Sequence, residues 1–284
     1  MKRLIIMLAG SAAALVAACG SNGNKTCAST SSPLNVCPKG ATVKGLDVSK
    51  YDGNPNWAQV KAAGNAFAFA RVSDGLGYPD ATFQPNWAGM KQQGMVRGVY
   101  QYFRASQDPI QQADYLLGEL AKGGAQPTDL PPVMDIETAD GVSASAVRAA
   151  MQKWLDHVEQ KLGRRPMIYT ANFMSATLGT GFAKYPLWVA NYKAQCPLMP
   201  DGWTTWRFWQ YDDKGTVPGV GASSVDVDEF DGTLQELLAF AEGPAQDGGA
   251  PAADAGATAD AAVDADSGAP ARDSGAPADP CANP

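Results

Sequence analysis

Leu130-Pro131-Pro132-Val133-Met134-Asp135-Ile136-Glu137 is an apolar run that ends in two acids with one residue between them. In a strand, residues two apart share a face. Asp135 and Glu137 therefore point one way, and Met134 and Ile136 point the other, outward under covering helices. Helical patterns flank the run, at 109–122 before it and 143–162 after it. The second is the clearest in the chain. Ser143 is a good N-cap, Val147, Met151, Trp154, Leu155, Val158 and Leu162 keep to one face, and Gly163 stops it.

Working outward, the same strand–helix rhythm extends over about 200 residues. Strand-like runs fall at 43–48, 66–72, 96–103, 132–137, 166–170, 187–191, 207–211 and 224–227. Further helical patterns fall at 55–63, 85–93, 172–178 and 233–242. Pro55-Asn56-Trp57-Ala58 recurs thirty positions on as Pro85-Asn86-Trp87-Ala88, about the length of one βα step. In each copy Pro starts a helix, Trp packs it on the sheet and a glycine ends it. Alternation followed by helix-poor final strands suggests a small, incomplete (β/α) barrel. An open doubly wound sheet is the alternative, but no glycine-rich phosphate loop follows the first strand.

Composition excludes several function classes. The 284 residues are 45% hydrophobic and carry a net charge of −7. The stretch 243–284 alone holds seven Asp against one Arg, so the body is close to neutral and has no basic nucleic-acid footprint. The only histidine is His157. A nucleophile–histidine mechanism would rest on that residue alone, and a His-rich metal site is excluded.

The two ends read differently from the middle. Lys2-Arg3 followed by an apolar run to Ala18 reads as an export signal. Its end, Val16-Ala17-Ala18-Cys19, resembles a bacterial lipoprotein box, which makes Cys19 the expected lipidation site and membrane anchor. Gly20 after it favours the outer membrane by the same resemblance. Residues 19–42 read as a tether and 43–242 as the folded domain. Residues 243–284, rich in Ala, Asp, Gly and Pro, are expected to be disordered. Four cysteines remain after lipidation, which allows three pairings. A local Cys27–Cys37 bridge is expected, with Cys196 and Cys281 as a second pair or as thiols.

If the middle is a barrel, its chemistry belongs at the C-terminal ends of the strands. Acids recur there: Asp47 on the first strand, Asp135 and Glu137 on the fourth, Asp226 and Asp228 on the last. Crowded carboxyls raise the pKa of at least one of them, which places a protonated acid beside ionised partners at neutral pH. That equipment suits protonation of a glycosidic oxygen and stabilisation of an oxocarbenium-like transition state. Tyr100, Tyr102, Tyr169, Tyr192, Trp209 and Gln210 lie on or beside strand ends, where rings stack on sugars and polar groups bond to them.

These pieces together resemble the glycoside hydrolase family 25 lysozymes, the Chalaropsis-type N-acetylmuramidases. The matching segments are Gly45-Leu46-Asp47-Val48-Ser49, Gly98-Val99-Tyr100-Gln101-Tyr102-Phe103, Asp135-Ile136-Glu137, Pro186-Leu187-Trp188-Val189-Ala190-Asn191-Tyr192, Trp209-Gln210-Tyr211 and Val225-Asp226-Val227-Asp228-Glu229-Phe230, in family order. They span residues 43–242 and neither end. The resemblance implies a TIM-like (β/α)5(β)3 barrel that cleaves the β-1,4 bond between N-acetylmuramic acid and N-acetylglucosamine in peptidoglycan. It makes Glu137 the general acid and Asp135 its partner carboxylate, with Asp47 and Asp226 as the other groove acids. It implies no cofactor and no metal, and a monomer whose partner is the glycan strand. Asp228 stands where asparagine is usual, which leaves Asp226 and Asp228 open as the fourth acid. Gln101 stands where histidine is common. A non-catalytic peptidoglycan-binding lipoprotein and another barrel glycosidase are the competing expectations.

Overall fold

Glycines decide how the barrel closes around its aromatic filling. The computed structural model describes residues 34–243, so the leader, Cys19, Cys27, Cys281 and the acidic tail lie outside the described residues. The strands are β1 (Thr42–Val48), β2 (Phe67–Asp74), the short β3 (Tyr78–Pro79), β4 (Val96–Tyr102), β5 (Val133–Asp135), β6 (Met167–Thr170), β7 (Leu187–Ala190), β8 (Phe208–Gly215) and β9 (Val225–Asp231). Their order is β1-β9-β8-β7-β6-β5-β4-β2-β3, and a β1–β2 pairing closes the ring. β3 is a two-residue addition to the rim of β2. Neighbours in the ring run parallel except at β9, which is antiparallel to both β8 and β1.

The helices are α1 (Trp57–Ala62), α2 (Phe83–Gln92), α3 (Pro109–Lys122), α4 (Ala144–Leu162), the single turn α5 (Ser175–Leu178) and α6 (Leu234–Glu242). Five strand–helix steps come first. Among the described residues no helix then separates β7 from β8 or β8 from β9. This is the (β/α)5(β)3 architecture, and the open doubly wound sheet is excluded.

Alternation along the strands sorts side chains into two layers. Phe67, Phe69, Tyr100, Tyr169, Trp188, Phe208 and Phe230 fill the barrel, with Phe69 stacked on Trp188 at 4.4 Å. Leu46, Ala68, Val99, Met134, Ile136, Ile168 and Val189 face outward against the helices, as read for Met134 and Ile136. Gly45 is paired with Phe67 and Gly98 with Phe69. A Cβ on either glycine would overlap the neighbouring ring, so two glycines on the flanking strands make room for two phenylalanines on β2.

Several boundaries moved for local reasons. α2 begins at Phe83 rather than Pro85, because Asp80 accepts from the Thr82 amide and hydroxyl and starts the turn earlier. Proline tolerates that first-turn position because its missing N–H would have no partner there. Asn56 caps α1, but its counterpart Asn86 is buried within α2 and donates to the Gly53 carbonyl. Ser143 caps α4 and Gly163 ends it at φ 62°, while Leu162, the last of its expected apolar row, is exposed.

The expected Cys27–Cys37 bridge is corrected: Cys37 is bonded to Cys196, 159 positions away. The chain before β1 runs along the β7–β8 connection. The Val36 amide donates to Pro197 O, the Met199 amide to Leu34 O, and the Trp206 indole to Val36 O. Residues 34–41, read above as tether, are therefore strapped to the barrel, and Cys37 reaches a partner that is distant in sequence but adjacent in space. A bridge closing so long a loop stabilises by roughly 4–5 kcal/mol in the chain-entropy view.

Candidate active site

β9 brings the acids together because it runs backwards. Its first residues lie at the same end of the barrel as the last residues of β1, so Asp226 pairs with Asp47 and Asp228 with Gly45. Like charges directly opposite each other on one sheet face repel. Asp135 ends β5, and its carbonyl accepts the Phe103 amide at 2.7 Å. The segment past it is pinned to β6. The Ile136 amide donates to Tyr169 O at 3.0 Å, and the Thr170 hydroxyl donates to Ile136 O at 2.9 Å. Glu137 thus leaves a fixed backbone beside Asp135 and is half-buried.

Donors hold the acids in place. Gln210 Nε2 donates to Asp47 Oδ2 at 2.6 Å, while Gln210 Oε1 accepts the hydroxyls of Tyr169 and Tyr192, each at 2.7 Å. Tyr100 also bonds to Asp47. Trp188 Nε1 donates to Asp228 Oδ1 at 2.8 Å. Both aspartates of β9 face the barrel interior. Asp226 lies at the mouth, and Asp228 one pleat deeper is wholly buried.

Burial among like charges raises these carboxyls. Asp47 is pushed up to about 7, by burial first and then by Asp52 and Glu137, against the bonds from Gln210 and Tyr100. Asp226 rises to about 9 through burial, then Asp47 and Asp52. Asp135 rises well above the carboxylate range, by burial and then by Glu137, to which it is hydrogen-bonded. Tyr100 and Tyr169 are pushed above their ordinary values by burial, so their hydroxyls stay neutral donors.

The profile of the glycosyl hydrolases family 25 matches residues 46–220. The chain belongs to this family. It is 34% identical over 217 residues to Lysozyme M1 of Streptomyces globisporus, covering 72% of each chain. It is 30% identical over 196 residues to the N,O-diacetylmuramidase of Chalaropsis sp, covering 63% of this chain and 92% of that one. Among solved structures, the bacterial lysozyme of Streptomyces coelicolor superposes with a TM-score of 0.65 at 34% identity, over 70% of this chain and 97% of the other. The protein is a glycoside hydrolase.

Not every residue singled out in the sequence lies in this family 25 groove. Trp209 points outward, packs on Trp206 and Tyr211, and donates its indole N–H to Asn191 O. Its neighbour Gln210 has the inward face, so the ring is structural. Gln101, in place of histidine, is also outward and fully buried. It bonds to Ser73, Gln112 O and the Trp154 indole, and ties β4 to β2, α3 and α4. Tyr102 sits at the rim under the Arg104 guanidinium, 4.4 Å away. His157 bonds Asp114 across α4 and α3, outside the barrel.

Arg71 was missed. It follows Phe67 and Phe69 on the inward face of β2, bonds Asp80 at 3.0 Å and lies 5.2 Å over the Tyr51 ring. Its charge favours the ionised form of Asp135. The alternation Phe67-Ala68-Phe69-Ala70-Arg71 carried the signal, since period two places the arginine in line with the two phenylalanines.

The raised carboxyls predict how stability responds to pH. Asp226 binds its proton more tightly folded than unfolded, so its contribution is fully present below about pH 4 and is lost as pH rises through about 9. Asp226→Asn removes that dependence. Its melting temperature relative to the unsubstituted chain is expected to be higher at pH 8 than at pH 5; an equal difference at both pH values contradicts the shift.

Proposed function

We propose that the protein is a muramidase that hydrolyses the β-1,4 bond between N-acetylmuramic acid and N-acetylglucosamine in peptidoglycan. The observation that carries this reading is the hydrogen bond between the Asp135 and Glu137 carboxyls at the barrel mouth, where Asp47 and Asp226 face each other across β1 and β9. Two hydrogen-bonded carboxyls in such surroundings hold one proton between them, and that proton belongs to the pair rather than to either residue. Asp135 is 3% exposed, whereas Glu137 is half-buried and is the member open to a substrate. Glu137 is therefore the general acid. It gives its proton to the leaving oxygen as the C1–O bond breaks; water then supplies the hydroxyl at C1 and returns its other proton to the Glu137 carboxylate. Asp135 orients Glu137 and stabilises positive charge developing on the sugar.

Asp47, held by Gln210, and Asp226 above it line the opposite wall. Tyr102 and Tyr192 offer ring faces toward the sugar, while the buried Tyr100 and Tyr169 hold Asp47 and Gln210 from below. The names of the relatives, a lysozyme and an N,O-diacetylmuramidase, support the same substrate class. Glu137→Gln is expected to lower the rate of clearing of a cell-wall suspension by roughly 10²–10⁴-fold. Undiminished clearing by this variant contradicts the assignment.

We further propose, on the sequence of residues 1–20 alone, that the protein is exported and anchored by lipid on Cys19 at the bacterial outer membrane. Cys19→Ala is then expected to move the protein from the outer-membrane fraction to the soluble fraction. A protein that stays with the membrane without Cys19 is not anchored there.

A further inference from the structure

Asp228 is the acid of the group that solvent does not reach, at 0% exposure. It lies opposite Gly45 on β1 and Gln210 on β8. Its Oδ1 accepts the Trp188 indole, but its buried Oδ2 meets no hydrogen-bond donor. The same carboxyl is within hydrogen-bonding reach of Asp47. Were both groups ionised, two buried carboxylates would face each other beside Trp188, with one oxygen unsatisfied. A proton on Oδ2 turns this conflict into a hydrogen bond.

We propose that Asp228 is a positioning residue that works as a hydrogen-bond donor, its Oδ2–H aimed at the Asp47 carboxylate while Oδ1 takes the Trp188 N–H. Asp47 is then held from two sides, by Gln210 Nε2 and by Asp228 beneath it. The proton stays on Asp228, and its hydrogen bond favours the ionised form of Asp47 at the groove.

Burial and the charge of Asp47 hold the Asp228 carboxyl well above the ordinary carboxylate range. The titratable groups around it are Asp47 on β1, Asp226 on its own strand and Tyr211 on β8. Arg71 on β2 is engaged by Asp80. The functional part of this inference rests on reading Asp47 as an acid of the muramidase groove.

Asparagine at 228 keeps an acceptor for Trp188 and an N–H donor for Asp47 but cannot ionise; alanine keeps neither. The full chain and its Asp228→Asn and Asp228→Ala variants are compared by infrared difference spectroscopy at pH 7 and by wall clearing from pH 5 to 9. The protonated-carboxyl band of the unsubstituted chain is expected to be lost in Asp228→Asn. Asp228→Ala is expected to clear about tenfold more slowly, the equivalent of one hydrogen bond. Asp228→Asn is expected to recover most of that loss and to keep more of its activity as pH rises than the unsubstituted chain does. No protonated-carboxyl band assignable to Asp228, or an asparagine variant as impaired as the alanine one, overturns the proposal. Should the unsubstituted chain clear no wall at all, the muramidase reading fails, and the infrared band still decides the protonation of Asp228. If alanine prevents folding, the asparagine variant and its band suffice.

Discussion

Five carboxyl groups, Asp47, Asp135, Glu137, Asp226 and Asp228, are confined to one end of a barrel whose remaining interior is aromatic. Desolvation and like-charge repulsion act on them in the same direction, toward retained protons. The fold answers with neutral donors rather than with an opposite charge for each acid. Gln210, Tyr100 and Trp188 bond to Asp47 and Asp228, and Arg71 at the rim acts on Asp135 through space. Stability given up at this end is the condition for an acid that still holds a proton at neutral pH, which is what breaking a glycosidic bond requires.

The rest of the barrel serves that concentration of charge. Phe67, Phe69, Trp188, Phe208 and Phe230 exclude water beneath the acids, and Gly45 and Gly98 let the β2 rings approach the neighbouring strands. The reversed direction of β9 puts two acids opposite the end of β1, a juxtaposition that a fully parallel ring would have to build from loops. Outside the barrel, the Cys37–Cys196 bond and the backbone bonds of residues 34–36 fasten the entry of the chain to the helix-free side, where no helix covers the β7–β8 connection.

Much of this was legible in the sequence where one periodicity decides the matter. Period two placed Met134 and Ile136 outward, and the 3.6-residue row on α4 named the residues it buries, except for the exposed Leu162 at its end. Acids at strand ends marked the mouth. What escaped depends on contacts between distant segments. Parity leaves Asp226 and Asp228 equivalent, and only the depth of the barrel separates them. Trp209 and Gln210 are adjacent, and which of the two faces inward is set by the β8–β9 register. Gln101 and Cys37 find their partners across intervals that no local pattern encodes. Arg71 is the exception, since the alternation on β2 alone places it on the inward face.

The most direct test of the account is mass spectrometry of the fragments released from purified peptidoglycan, with the new reducing end identified by borohydride reduction. Reduced N-acetylmuramic acid at that end is the predicted result. Reduced N-acetylglucosamine there, or cleavage confined to peptide bonds, would contradict it.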